Sequence, residues 1–193
     1  MRQFKKLKMF LHAESLPSEI QLRDDQMVGF IRFGNDYTQN FYQIEIPLKV
    51  TLPSGSVGSN CGALSAEVVW PAENEIDLSL ALLTKLKIQA MSIDPSTLPA
   101  DGIYYQNEED LDPSLAGKAN KLRIGIKGNP NFGLVRNLML GVKNNDLHQD
   151  IKGEVWFDEL RVADMDNSRG MAAVLNVDTN FADFATVSAT GRK

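Results

Sequence analysis

Three side chains could supply the imidazole or thiol chemistry that many hydrolases use: His12, His148 and Cys61. His12 falls on the polar face of a predicted strand, and His148 lies in Asn144–Asp150, a segment typical of a turn. No G-x-S-x-G elbow marks a nucleophile, and the two histidines lack the short helical spacing of zinc ligands. We therefore predict a protein that is not an enzyme and has no catalytic residue. A hydrolase would need the fold to bring Cys61 or a serine within hydrogen-bonding reach of a histidine.

One carboxylate lies in a segment whose pattern suggests calcium. Strict alternation along Gly153–Ala163 gives an inward face of three apolar residues and one acid: Trp156, Asp158, Leu160 and Val162. A buried carboxylate needs hydrogen bonds, a cation or a metal to offset its desolvation. One interpretation is a structural calcium ion on Asp158, with Glu14 as a companion ligand. The other is that Asp158 accepts backbone N–H groups or pairs with an arginine such as Arg32. No other cofactor is predicted.

Aromatic residues in loops suggest a surface that binds a ligand or a partner. Tyr37 and Asn40 lie in or beside the loop Gly34–Asn40, and Tyr104 and Tyr105 open the excursion Tyr104–Asp112. Exposed rings can stack on sugars, whereas the alternative is that these rings anchor their loops to the core. Together with the loop Ser54–Asn60, these are the segments in which we expect binding, because loops on a rigid frame carry most binding functions.

Two further segments have the composition of ligand-binding loops without the required spacing. The glycine-rich run at residues 54–62, SGSVGSNCG, lacks the Lys-Ser/Thr of a phosphate loop. The acidic run at residues 108–112 lacks the D-x-D-x-D-G pattern of a calcium loop. We predict a flexible hairpin loop for the first and a solvated loop for the second.

The elements that position these residues follow a period of two. Between Phe41 and Val50 every even position is apolar, which is typical of a strand with one face in a core. Pro47 cannot donate to a neighbouring strand, so this strand is predicted at a sheet edge. The other predicted strands lie near residues 6–13, 27–33, 67–70, 121–127, 134–142, 153–162 and 173–178. About eight strands joined by Gly, Asn and Pro turns predict an all-β fold, an antiparallel jelly-roll β-sandwich.

One stretch departs from this period. In Asn74–Met91 the alternation gives way to helical spacing, so we predict a strand to about Ser79 and a short helix to about Lys87, with Asn74 as a helix cap. Residues 94–117, with three prolines, are predicted to form a long loop. The domain organisation follows: residues 1–180 form the sandwich and residues 181–193 a C-terminal tail.

Composition excludes several classes of protein. The 193 residues include 20 basic and 25 acidic side chains, for a net charge of −5, so the basic footprint of a nucleic-acid-binding protein is missing. A single cysteine excludes an intrachain disulfide. No apolar run approaches the ~18 residues of a membrane helix, and the alternation of charged and apolar residues at the start does not predict a signal peptide. Because strand patterns reach both ends, we expect this chain to be an excised piece of a longer protein.

Three segments closely resemble the SprA family. They are FIRFGNDYTQNFYQIEIPL (Phe30–Leu48), VWPAENEIDLSL (Val69–Leu80) and GEVWFDELRVADMDNSRGMAAVLNVDTNFADFATVSATG (Gly153–Gly191). The segment Lys121–Asn144 fits the same pattern, so the resemblance covers more than half of the chain in the expected order.

The resemblance implies a role that composition does not. SprA-like proteins are very large outer-membrane and cell-surface translocons, needed for type IX protein secretion and gliding motility, with soluble domains inserted between the strands of a wide barrel. This chain would be one such domain, a jelly roll of the galactose-binding or carbohydrate-binding type, and its tail would lead toward a barrel strand. Implied partners are other secretion-apparatus proteins, secreted cargo or neighbouring domains. The fragment itself would not span the membrane and would face the periplasm or the exterior. The alternative is a carbohydrate-binding module of a cell-surface protein.

Overall fold

The computed structural model describes residues 4–16, 19–51, 65–165, 174–181 and 185–192. The strands are β1 (Phe4–Ser15), β2 (Met27–Gly34), β3 (Phe41–Pro47), β4 (Glu75–Ser79), β5 (Tyr104–Asn107), β6 (Arg123–Lys127), β7 (Asn137–Asn144), β8 (Gly153–Met165), β9 (Val174–Phe181) and β10 (Ala185–Arg192). The α-helices are α1 (Ala66–Val69), α2 (Ala81–Ala90) and α3 (Glu108–Leu111). Three short 3₁₀ turns lie at Ala72–Asn74, Pro95–Thr97 and Pro113–Leu115.

The strands form antiparallel sheets. One sheet has five strands in the order β5-β6-β3-β2-β7, and a second has three in the order β4-β1-β8. Strands β9 and β10 pair with each other as a two-stranded hairpin. This arrangement confirms the predicted all-β sandwich.

Alternate residues of both larger sheets meet in one apolar core, as the period of two predicts. The fully buried members include Met9 and Leu11 of β1, Ile31 and Phe33 of β2, Ile44 and Ile46 of β3, Ile76 and Leu78 of β4, and Ile124 of β6. Helix α2 adds Leu82, Leu83 and Leu86 to the same cluster. The core therefore holds the two sheets face to face, and the polar residues of each strand are left for the two outer faces.

The edge strand β7 is an exception to this burial. Leu138, Leu140 and Val142 pair with Phe33, Ile31 and Gly29 of β2 and share their inward-facing side of the sheet. Nevertheless these three side chains are 42%, 37% and 39% exposed. The three-stranded sheet is two strands narrower than its partner, so it leaves the inner side of β7 incompletely covered.

Pro47 corrects one prediction about the sheet. Strand β3 is central, between β6 and β2, rather than at an edge. Proline is tolerated there because β6 pairs with β3 only as far as Glu45, opposite Arg123. Pro47 lies beyond that last pair, where its missing N–H breaks no hydrogen bond to β6.

The region around α2 contains one confirmed prediction and several corrected ones. Strand β4 ends at Ser79 as predicted, and α2 then runs to Ala90, slightly farther than expected. Residues 67–70 are not a strand, because Ala66–Val69 forms the single turn α1. Asn74 caps no helix: its side chain accepts from the N–H of Lys49 (2.7 Å) and donates to the Lys49 carbonyl (2.9 Å).

The predicted long loop at residues 94–117 contains β5 and α3.

A β-bulge in β8 overturns the predicted inward position of Asp158. Lys8 pairs with Arg161 and Phe10 pairs with Asp158, so β8 carries one more residue than β1 across this interval. Glu159 is the extra residue and has a φ of 51°, uncommon for a side chain other than glycine. The bulge shifts the alternation by one, so the partly buried, core-packed residues are Val155 and Phe157 before it and Leu160 and Val162 after it. Asp158 is exposed on the outer face.

No helix in the described part of the chain is long and apolar enough to cross a membrane.

Candidate functional site

The loop that carries Tyr37 and Asn40 is held by one carboxylate. Asp36 accepts the N–H groups of Thr38 (2.9 Å), Gln39 (2.5 Å) and Asn40 (3.0 Å), and the Asn40 amide donates to it as well (3.0 Å). These hydrogen bonds, the one from Gln39 first, hold the pKa of Asp36 well below its usual range. Asn40 Oδ1 accepts the N–H of Asn129 (3.0 Å). The Asn40 amide is therefore committed to protein partners on both of its sides.

Tyr37 is tied to the sheet edge. Its hydroxyl donates to the Leu138 carbonyl on β7 (3.3 Å), and its own carbonyl accepts from Arg32 (2.8 Å). Tyr105 lies on β5, the opposite edge of the same sheet. Four strand spacings, about 19 Å, separate these two edges. The structure therefore does not bring Tyr37 and Tyr105 into one small-ligand site.

Tyr104 and Tyr105 lie on opposite sides of β5 because they are consecutive in a strand. Tyr104 packs against the core cluster, and its hydroxyl accepts from Gln106 (2.8 Å). The ring of Tyr105 lies on the outer face of the sheet over Gly125, where an added Cβ would meet the ring carbon Cε1 at 2.5 Å. The guanidinium carbon of Arg123 lies 3.9 Å from the centre of the Tyr105 ring. Tyr105 is therefore a predicted site residue whose ring is held between the sheet and a charged side chain.

A polar cluster, called here the Glu45 network, surrounds Tyr105 on the outer face of the five-stranded sheet. Its members are Arg32, Gln43, Glu45, Tyr105, Arg123 and Lys143. Glu45 is 3% exposed, and its Oε1 accepts from Gln43 (2.6 Å), the Tyr105 hydroxyl (3.0 Å) and Lys143 (2.7 Å). Arg123 lies 3.7 Å from the other oxygen, Oε2. Burial raises the pKa of Tyr105, and the neighbouring Glu45 charge raises it further.

The Glu45 network ties the outer face together across the whole sheet. Arg32 donates to Gln43 (2.7 Å) and its guanidinium lies 4.1 Å from the centre of the Phe41 ring, so β2 is joined to β3. Tyr105, Arg123 and Lys143 extend the contacts to β5, β6 and β7. The buried carboxylate is thus compensated by cations and donors of the same chain. Sequence alternation places Gln43 and Glu45 on a polar face, but nothing in it singles out Glu45, because Tyr105 and Lys143, which donate to it, lie 60 and 98 residues away.

The outer face of the three-stranded sheet has a different centre, the buried imidazole of His12. It is 3% exposed and lies between the rings of Trp70 and Trp156, with centroids 5.8 and 5.0 Å away. His12 Nδ1 lies 2.7 Å from the Val69 carbonyl, and because a carbonyl only accepts, this nitrogen donates. The hydrogen bond fastens the end of α1 to β1.

His12 also meets a hydroxyl and a carboxylate, the residue types of a nucleophile–base–acid triad. Thr51 Oγ1 lies 3.0 Å from His12 Nδ1, and Glu14 Oε2 lies 3.4 Å from Nε2. However, Thr51 is buried and its hydroxyl donates to the Ala13 carbonyl (2.8 Å), so the oxygen is held inside the protein. His148 lies in an exposed turn, where its N–H donates to Asp146 (2.9 Å). Cys61 and the loop Ser54–Asn60 lie outside the described residues.

The two predicted calcium ligands are separated along the sheet. Asp158 pairs with Phe10 and Glu154 pairs with Glu14, so the two carboxylates are offset by four residues, about 13 Å. One calcium ion, with ligand distances of about 2.5 Å, does not span that separation. Asp158 instead accepts the N–H of Glu159 (2.8 Å), which is one form of the alternative interpretation. Within the described ranges, no group of three or more His, Cys, Asp or Glu side chains is placed to hold a metal ion. A calcium site at either residue stays a prediction.

The acidic run at residues 108–112 is not a solvated loop throughout, which corrects another prediction. Glu108 is 4% exposed and pairs with Lys118 at 3.0 Å. Lys118 also donates to the Asp77 carbonyl (2.8 Å), which connects α3 to β4. Burial raises the pKa of Glu108, while Lys118 opposes this effect. The exposed members, Glu109 and Asp110, remain at the surface.

The chain matches a known protein family over its whole length. A family profile named SprA_N, described as a motility related/secretion protein, matches residues 1–193. A comparison with curated proteins finds no match.

Proposed function

Because the chain belongs to the SprA_N family of motility-related and secretion proteins, we propose that it is a non-catalytic interaction domain of an outer-membrane translocon used in type IX secretion and gliding motility. The domain acts as a rigid sandwich that contacts other secretion-apparatus proteins, secreted cargo or neighbouring domains. It works at the cell surface or outer membrane, on the periplasmic or the extracellular side.

The observation that carries this proposal is the incompletely covered inner side of β7. Leu138, Leu140 and Val142 have the side-chain direction of core residues and are still more than one-third exposed. A row of apolar side chains along an edge strand is a typical contact surface. It is supported by a frame that does not deform easily, since the Glu45 network connects all five strands of that sheet.

The non-catalytic part of the proposal is supported by the surroundings of His12. Its ring is enclosed by two tryptophans, and its Nδ1 donates to a backbone carbonyl rather than facing an open cleft. The Thr51 hydroxyl beside it is buried and already engaged. A general base needs a reachable substrate proton, and this arrangement offers none at the surface.

Photo-crosslinking in the native cells tests the interaction function. A photoreactive amino acid replaces Leu140 in the whole chain, and a matched control carries it at Gln89, an exposed position on α2. We expect Leu140 to crosslink to secretion-apparatus proteins, cargo or another domain of the same protein, well above the yield from Gln89. Equal yields at both positions, with secretion and gliding unaffected when Leu138 and Leu140 are changed to Asp, would contradict the proposal.

The second candidate function is a carbohydrate-binding module, favoured by Tyr105. Its ring lies on a sheet face beside the polar groups of Gln43 and Glu45, a combination that sugar sites use. Against it, Arg123 already covers the ring. A glycan array separates the two: binding that is lost in Tyr105→Ala and kept in Tyr37→Ala supports the sugar-binding module, and an array without any binder removes it.

A further inference from the structure

A cleft lies on the outer face of the three-stranded sheet, between α1 and β8. It is lined by Phe10, Ala66, Glu67, Trp70, Asp158 and Glu159, and has a volume of about 320 Å³. We call it the α1–β8 cleft. Its floor is apolar, from the rings of Phe10 and Trp70, and its rim carries three carboxylates. Neither the Glu45 network nor the apolar edge of β7 contributes a residue to it.

The β8 bulge produces this rim. Without the extra residue, Glu159 would follow the inward alternation of β8, and only Asp158 would face outward beside Phe10. With the bulge, both side chains line the cleft and both are exposed. A bulge commonly redirects a side chain toward a binding surface.

The charges of the rim are only partly neutralised. Glu159 pairs with Arg161, and Asp158 accepts the N–H of Glu159. In the part of the chain that the structure describes, Glu67 has no hydrogen-bond or ion-pair partner. The lysines of the same sheet face do not help, because Lys6 and Lys8 pair with Asp77 and Glu75 on β4. Among the described residues, the three carboxylates of the rim therefore have one ion-pair partner, Arg161.

An aromatic floor under an acidic rim is complementary to a cation on a long apolar stem. The methylene groups of a lysine or arginine can pack on Phe10 and Trp70, with the charged head beside Glu67 and Asp158. A sugar fits less well, since it has no positive charge to neutralise the three carboxylates, and Trp70 Nε1–H is the one side-chain donor among the lining residues.

We propose that the α1–β8 cleft binds a basic peptide segment, seating one lysine or arginine side chain between Trp70, Phe10 and the carboxylates of Glu67 and Asp158. The proposal rests on the proposed interaction function, for which it names the chemistry of one partner. His12 is a positioning residue for this cleft, because its hydrogen bond to Val69 fixes the helix that forms one wall.

The test is a binding titration of the whole chain with a synthetic probe, acetyl-Lys-Gly-Lys-Gly-Lys-amide, followed by tryptophan fluorescence at low salt. The matched probe has Glu in place of Lys. We expect the lysine peptide to bind, the glutamate peptide not to bind, and the affinity to fall by tenfold or more when salt is raised to 0.3 M. A maltooligosaccharide that binds as well as the lysine peptide would overturn the proposal in favour of a sugar site.

Two variant pairs locate the binding. The cleft pair, Glu67→Gln with Asp158→Asn, removes two rim charges at exposed positions and is expected to weaken binding at least tenfold. The control pair, Glu109→Gln with Asp110→Asn, changes the net charge equally on α3 and is expected to change affinity less than twofold. Equal losses in both pairs would show attraction to net charge alone and overturn the proposal.

Two further experimental results distinguish this proposal from a dimer interface and from failure of the interaction function. Sedimentation that shows a dimer dissolved by the cleft pair would make the occupant a second copy of this chain and contradict the peptide proposal. If the peptide does not bind while Leu140 still crosslinks to secretion partners, only the cleft assignment fails. If neither occurs, the interaction function itself fails.

Discussion

The two outer faces of the sandwich differ in whether their carboxylates are paired within the fold. On the five-stranded sheet, Glu45 is buried and surrounded by donors from β3, β5, β6 and β7. On the three-stranded sheet, the carboxylates of Glu67, Asp158 and Glu159 line an open cleft with one arginine among them. The first face is closed by its own side chains, and the second leaves charge and aromatic surface available to a partner.

This difference shows that a polar outer face is not by itself a binding site. Both faces arise from the same alternation of apolar and polar residues along strands. What distinguishes them is whether long-range pairing satisfies the polar groups within the fold. We therefore expect substitutions on the first face to change the free energy of unfolding, and substitutions on the second to change binding.

The largest expected effect is from Glu45→Ala. It removes the acceptor shared by Gln43, Tyr105 and Lys143, and leaves donors without partners in a buried position. Because Lys143 and Arg123 can still reach water, we expect a loss of about 2–3 kcal/mol rather than the full value for a buried ion pair. Chemical denaturation measures this loss, and the affinity for the lysine peptide should stay unchanged.

A surface ion pair provides the control for that prediction. Glu19 pairs with Lys152 at 2.8 Å, and both side chains are well exposed. Glu19→Ala should lower the free energy of unfolding by less than about 1 kcal/mol. Equal losses for Glu19→Ala and Glu45→Ala would mean that the Glu45 network contributes no special stability.

The next largest effect is expected from Gly125→Ala. The new methyl group would meet Tyr105 Cε1 at 2.5 Å and the side chain of Ile103 at 2.9 Å, so the ring must leave its place over β6. We expect a loss of about 1–3 kcal/mol, the usual range for overpacking. Gly117→Ala is the matched substitution, since nothing lies within 4 Å of its added Cβ, and it should be neutral within about 0.5 kcal/mol.

A smaller effect with a defined pH dependence is expected from Tyr105→Phe. At neutral pH it removes the hydrogen bond to Glu45 and should lower the free energy of unfolding by about 1 kcal/mol. The pKa of Tyr105 is raised in the folded state, so the neutral phenol stabilises the fold below the ordinary tyrosine pKa of about 10. Above about pH 10, Tyr105 of the unfolded chain loses its proton while Tyr105 of the folded chain keeps it. The contribution of the neutral phenol to the free energy of unfolding is therefore lost as the pH rises.

The variant lacks that ionisation, so its disadvantage should shrink above about pH 10. Denaturation midpoints of the two proteins between pH 7 and pH 11 measure the change. A difference that stays constant over this range would contradict the raised pKa of Tyr105.

The smallest effect on stability is expected on the second face. Asp158→Asn alters an exposed residue whose described contact is the N–H of its neighbour, which an amide oxygen also accepts. We expect a change within about 0.5 kcal/mol, together with a severalfold loss of affinity for the lysine peptide. A large loss of stability with unchanged affinity would show that Asp158 stabilises the fold, as Glu45 does, and takes no part in binding the peptide.

Much of the frame was predictable from the sequence because it depends on local pattern. The alternation in β1, β3 and β6 identified these strands and their buried sides correctly, and the change from strand to helix after Ser79 was visible in the spacing of leucines. Both patterns depend on residues that are close together in the sequence, and the tertiary contacts of these strands and of α2 bury the same residues.

The failures depend on partners far along the chain. The bulge at Glu159 has no glycine to signal it, and it became apparent only from the register of β8 against β1. The turn at Ala66–Val69 has strand-like residues but packs beside His12, 57 positions away. The Glu45 network has the same character, so the sequence identified Tyr105 as a surface residue without identifying the carboxylate that it contacts.

The most direct test of the contrast between the two faces is an NMR titration of the isotopically labelled chain with the lysine peptide. Trp70 and Trp156 are the two tryptophans of the sequence, and both lie by the three-stranded sheet. We predict that the indole signal of Trp70 and the amide signals of Phe10, Glu67 and Asp158 shift, while those of Gln43, Tyr105 and Arg123 do not. Shifts concentrated at the Glu45 network, with the Trp70 indole unmoved, would contradict the account.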